Sequence, residues 1–145
     1  MILSAQQILS DDQAITATAI STNVIDLGVP GTPYAAAAAL NFDVGKGTPI
    51  CFLAQVTEAF NTLTTLTFTL ETSANSDLSA STVLATEEVA LADLIPGKQM
   101  FMQVLPSGIT ERYLGTRYTV AGTPPTLGRV TVGPTLGNQT NVTGA

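Results

Sequence analysis

Alternation of apolar and hydroxyl-bearing side chains is the most regular feature of the chain. In Leu63-Thr-Thr-Leu-Thr-Phe-Thr-Leu-Glu-Thr, the residues Leu66, Phe68 and Leu70 fall on one face and Thr65, Thr67 and Thr69 on the other. A period of two marks a strand, because successive Cβ atoms leave opposite sides of the pleat. One face then packs on a core and the other meets water. Residues 15–20 repeat the pattern more weakly, and the nearly continuous apolar run over 49–57 predicts a central strand covered on both faces. Further strands are predicted over 23–27, 82–89, 99–104, 112–120 and 127–132. Turn-forming clusters separate them: Gly45-Lys-Gly, Asn75-Ser-Asp, Pro96-Gly, Pro106-Ser-Gly and Ala121-Gly-Thr-Pro-Pro. About eight short strands at this spacing predict an all-β chain, a single-domain jelly roll or antiparallel β-sandwich with extended termini.

Three segments stand outside the alternation. Ile2, Leu3, Ile8 and Leu9 are apolar residues ahead of the first clear strand. Two readings are open for this arm, residues 1–12: it covers the domain's own core, or it docks on a partner. The domain proper is expected over 13–132. The tail, 133–145, is polar, rich in glycine and without periodicity, the composition of a segment that frays or orders on a neighbour. Within the domain, residues 28–41 form a long connection whose five alanines suit one helical turn or a small packed loop.

Charge narrows the partners. The 145 residues carry five basic and eleven acidic side chains, a net charge of −6, and no histidine. The basic residues are scattered, so no positive patch is available to displace counterions from phosphates. Nucleic acid and anionic membranes are therefore excluded as expected partners. Charged residues make up only 11% of the chain, against about a quarter in ordinary soluble domains. Many surface positions must then be neutral, which suits a protein packed against neighbours. No positively charged leader opens the chain and no apolar run reaches membrane-span length, so a soluble product of its own compartment is expected.

The residue inventory argues against catalysis. Without histidine there is neither a Ser-His-Asp nor a Cys-His set, nor an imidazole metal site. The single cysteine, Cys51, lies in the most apolar strand and reads as a small core residue. Gly45-Lys46-Gly47-Thr48 fails the phosphate-loop register, because Leu40 stands where its first glycine belongs. Glu87 and Glu88 are adjacent and so point to opposite faces of a strand. Asp11 and Asp12 read as turn or cap residues, and Asn75-Ser-Asp77 lacks the remaining ligands of a calcium loop. No catalytic residue, metal or cofactor is expected. In Glu111–Val120, Leu114, Tyr118 and Val120 look like core. Tyr113 and Arg117 then face outward across Gly115, either as interface residues or as a surface tyrosine packed on an arginine stem.

The order of segments resembles a known family. It runs from Ser10-Asp-Asp-Gln-Ala-Ile-Thr-Ala-Thr and Ser21-Thr-Asn-Val-Ile-Asp-Leu-Gly to Val56-Thr-Glu-Ala-Phe. After the threonine-alternating strand come Leu105-Pro, Arg112-Tyr-Leu, Tyr118-Thr-Val, Gly122-Thr and Arg129-Val-Thr-Val-Gly. Over roughly residues 1–135 the chain is similar to the small cement, or decoration, proteins of tailed-bacteriophage capsids, of the kind first described in a Bordetella phage. None of these motifs is catalytic, so the likeness rests on their order. It implies a jelly roll made in the host cytoplasm and seated on the outer surface of an icosahedral shell. There it clamps neighbouring major capsid proteins, with itself as a further partner in a homodimer or homotrimer. Ile2, Leu3, Ile8, Leu9, Tyr113 and Arg117 are the candidate capsid or subunit contacts. The stretch before Asn41 and the tail after Gly133 look longer than the family pattern. A carbohydrate-binding jelly-roll module is the alternative, though Tyr34, Tyr113 and Tyr118 offer little for an aromatic platform. An enzyme built from remote acids is a third reading, weakened by the absence of histidine.

Overall fold

The computed structural model describes residues 3–100 and 104–137. Among these are nine strands: β1 (Ser10–Ala14), β2 (Ala19–Ile20), β3 (Ile25–Asp26), β4 (Cys51–Glu58), β5 (Leu63–Ser73), β6 (Thr82–Ala90), β7 (Gln99–Met100), β8 (Tyr113–Gly122) and β9 (Arg129–Thr135). A single 3-10 turn, Leu91–Asp93, is the one helical element among the described residues. One sheet has the order β1-β9-β4-β7. The other has β2-β8-β5-β6, with β3 continuing β2 along the same edge of β8. Every pairing is antiparallel.

The pairings nest. β5 pairs with β6, β4 with β7, β2 and β3 with β8, and β1 with β9, as in one long hairpin whose tip is the β5–β6 loop. Rolling that hairpin places β9 beside β4 and β8 beside β5. The result is a jelly roll, as expected. Its core lies between the two sheets: Phe52, Ala54 and Val56 of β4, Leu66, Phe68 and Leu70 of β5, Leu114 and Tyr118 of β8, and Val130 and Val132 of β9. Phe68 and Tyr118 sit directly opposite each other and meet edge to face, ring centroids 5.2 Å apart. Burial of each large apolar side chain contributes about 1.5–3 kcal/mol, so the alternation in β5 is what holds the two sheets together.

Polar groups close one side of the sandwich. The Asn23 N–H donates to the Leu9 carbonyl at 2.9 Å, and Gln13 Nε2 donates to the Ile20 carbonyl at 3.0 Å. Inside, the buried Tyr118 hydroxyl hydrogen-bonds Ser10 Oγ at 2.6 Å and Thr116 Oγ1 at 2.8 Å, tying β1 to β8. Burial pushes the Tyr118 phenol up to about 12, since the two hydroxyls replace water only in part.

Several expectations need correction. Of residues 15–20 only Ala19 and Ile20 are strand, 16–18 being bends, and the longer strand lies earlier, at Ser10–Ala14, because it is β9 that supplies its backbone partner. Asp11 and Asp12 therefore belong to β1. Asp12 still shows turn chemistry: it sits at the register shift of β1 with φ 47°, a bulge conformation that aspartate tolerates better than most residues. The sheet thus takes in three residues given to the arm. At the other terminus β9 runs to Thr135, into the expected tail, because β4 pairs with it as far as Cys51. Cys51 itself is half-buried rather than enclosed.

Candidate interaction surface

Antiparallel pairing decides which loops share an end of the sandwich. β4 and β8 begin, and β5 and β9 finish, at the same end. Gathered there are the arm before Ser10, residues 27–50, the loop 74–81, residues 104–112 and the residues after Thr135. A crevice between the sheets confirms that the two ends coincide, since Ile25 and Leu114 of one sheet line it together with Ile50 and Pro134 of the other. Its two adjoining parts measure about 160 and 70 Å³ and share Gln7, Ile50 and Pro134.

The candidate residues fare differently at this end. Leu9 is 0% exposed and part of the core, and its N–H donates to the Val132 carbonyl at 2.8 Å. Ile8 is half-buried over Gly133, where a Cβ would stand 3.0 Å from the Ile8 Cα. Leu3 is half-buried and bridges Thr135. The described part of the arm therefore lies along β9 of its own chain. Ile2 lies outside the described residues.

Tyr113 and Arg117 are not presented side by side. The loop 74–81 folds over Gly115 between them, with Leu78 buried against it: a Cβ on Gly115 would come within 2.8 Å of Leu78 Cδ1. Arg117 is turned to its own chain. Its Nε donates to both oxygens of Glu71 at 3.0 and 3.1 Å, and its Nη2 donates to Glu71 Oε2 and to the Leu78 carbonyl, each at 3.0 Å. The Glu71 side chain is 3% exposed and also accepts from the Thr69 and Ser81 hydroxyls at 2.8 and 2.7 Å. Burial alone would raise its carboxyl, but Arg117 and the two hydroxyls more than offset this and hold it below the ordinary range. Arg117 is thus a clamp holding the loop 74–81 to β5 and β8, with its side chain still 33% exposed. Tyr113 stays half-buried beside an open depression of about 420 Å³ lined by Asn75, Asp77 and Ser79. Its ring carries the guanidinium of Arg112 at 4.9 Å rather than the stem of Arg117. Arg112 in turn forks onto Asp26 at 2.8 and 2.6 Å, which with the Gly28 N–H brings that carboxyl down to about 2.

What single-sequence reasoning did not select is the apolar material at the same end. Eight large apolar side chains are exposed among the described residues. Val29, Tyr34, Leu40, Val83, Val104 and Leu136 lie at this end, and only Ile95 and Leu127 lie at the other. Three of the six come from residues 27–42, a stretch without a single charge. That charge-free run was the available signal.

The base of this long connection is fixed. The Asp43 carboxylate accepts from the N–H groups of Gly108, Gly45 and Ile109 at 2.8, 3.1 and 3.1 Å, and these bonds hold it below the ordinary range. Gly45 packs so closely that a Cβ would fall on the Pro106 carbonyl. Beyond that anchor the chain turns at Tyr34 and Ala35, the latter at φ 62°, and the Leu40 N–H closes the loop on the Gly31 carbonyl at 2.9 Å. The alanines form no helix.

A family model named Bbp16 matches residues 9–133. The chain belongs to the Bbp16 family. The family name refers to a protein of a Bordetella phage, so this is a phage-related protein. The Bbp16 match starts at Leu9, the first residue of the arm to enter the core, and ends within β9. It spans both sheets. No curated protein matches the chain.

Proposed function

We propose that this Bbp16-family protein is a virion structural protein, a decoration protein on the outer surface of an icosahedral phage capsid. It clamps neighbouring major capsid proteins and acts by binding, without catalysis, as a symmetric oligomer. The observation that carries the reading is the gathering of exposed apolar side chains at one end of a jelly roll from a phage-related family. Three further features support it. The net charge of −6 suits the outside of a shell, away from the genome. Three arginines pair with carboxylates of their own chain, so little positive charge is left for phosphates. A protein that binds only the assembled shell stabilises it by mass action, and many modest contacts suffice when the lattice repeats them.

The test is biochemical. Purified virions of the parent phage are expected to contain the protein in copy numbers comparable with the major capsid protein. Shells assembled without it are expected to take it up and to resist heat better afterwards. Its absence from virions, or failure of such shells to bind it, would overturn the proposal.

A further inference from the structure

We propose that the loop 29–41 is the segment that meets the shell, with Tyr34 as its anchor, and that its occupant is an uncharged, apolar patch of the shell surface repeated across the lattice. This rests on the decoration reading and names the site and chemistry of the contact.

Every residue of the loop except the half-buried Pro30 is exposed, and its side chains reach solvent although most are apolar. Tyr34 is fully exposed at its turn, between Pro33 and the first of five alanines. Tyrosine at such a position supplies a large contact area for the loss of two rotatable bonds, which is why it recurs at the centres of interfaces. The closure of Leu40 on Gly31 and the anchoring of Asp43 reduce the ordering cost of docking further. Residues 27–42 carry no charge in a chain of net −6, so a charged surface would gain nothing here and would lose its hydration.

Size separates the lattice from a second copy as the occupant. A free-standing interface takes about 20–30 residues from each side. The loop supplies about half of that, too little for a stable dimer on its own. It is enough where one oligomer presents several loops to a repeating surface, because each further contact is then intramolecular. Position agrees with this, for Val83, Val104 and Leu136 lie at the same end and widen the apolar face.

The experiment compares three proteins for binding to shells assembled without the native chain. The wild type establishes binding. Ala37→Asp places a charge in the loop and is expected to weaken binding at least tenfold, with thermal unfolding unchanged because the site is exposed. Ile95→Asp places the same charge at the opposite end and is expected to bind like the wild type. Tyr34→Ala is expected to fall between the two. Equal binding by Ala37→Asp and the wild type overturns the loop assignment and leaves the decoration function standing; loss of binding by Ile95→Asp to the same degree also overturns it. If the wild type itself does not bind, both proposals fall. Sedimentation of the free protein adds one more arm: dissociation of an oligomer by Ala37→Asp would make the second copy the occupant and refute the inference.

Discussion

Replacing Arg117 with methionine removes one member of the ion pair that holds the loop 74–81. The carboxylate of Glu71, 3% exposed, keeps the Thr69 and Ser81 hydroxyls but loses two N–H donors, which make three hydrogen bonds to it, and its counter-charge. Breaking a buried pair on one side costs about 3–5 kcal/mol. Arg117 is 33% exposed, so water enters where the guanidinium was and the lower end, about 3 kcal/mol, is expected. Chemical unfolding followed by far-ultraviolet dichroism at pH 7 measures it. The pH dependence is the sharper reading. In the wild type the carboxyl is held below its ordinary 4.5, so it stabilises the fold above that value and its contribution fades as pH falls through the folded pKa. In the variant burial dominates and the pKa rises above 4.5, so the carboxyl destabilises at neutral pH and ceases to once protonated. The difference between the two proteins should therefore shrink from pH 7 to pH 4. The double variant Glu71→Leu, Arg117→Met buries no charge and should recover most of the lost stability. A penalty below about 1 kcal/mol, or one that does not change with pH, would refute the account of Glu71 as a buried, paired carboxylate.

Other residues carry their own expectations. Gly115→Ala drives a methyl into Leu78 and Val24 and should cost about 1–3 kcal/mol in the same unfolding assay. It should also quicken proteolysis in the loop 74–81. Tyr118→Phe leaves the buried Ser10 and Thr116 hydroxyls short of a partner, for a loss of about 1–3 kcal/mol. The raised phenol means that wild-type stability holds below pH 10 and falls as pH climbs towards 12, a decline the phenylalanine variant should lack in part. Truncation separates the two halves of the arm. Removing residues 1–9 takes Leu9 from the core and should cost about 2–5 kcal/mol, whereas removing residues 1–7 should leave the midpoint of thermal unfolding within a few degrees.

Much of this molecule follows from sequence because strand geometry is local. The alternation of Leu66, Phe68 and Leu70 with threonines assigns faces by the pleat alone, and the same rule placed Leu114 and Tyr118 inside. The lack of histidine and of clustered charge is likewise a property of the chain before it folds, and so are the class it suggests and the charge-free run over 27–42. Tertiary structure decided what lies on top of each face and which loops share an end. Arg117 does leave the outer face of its strand, as the pleat requires, yet a loop thirty-six to forty-three residues earlier covers that face and takes its donors. Leu9 is core because β9, more than a hundred residues later, offers Val132 as its partner. Asp12 is strand for the same reason. The apolar end exists because antiparallel nesting carries residues 29, 34, 40, 83, 104 and 136 to one side. Such distances are set by pairings between remote segments, and no local periodicity encodes them.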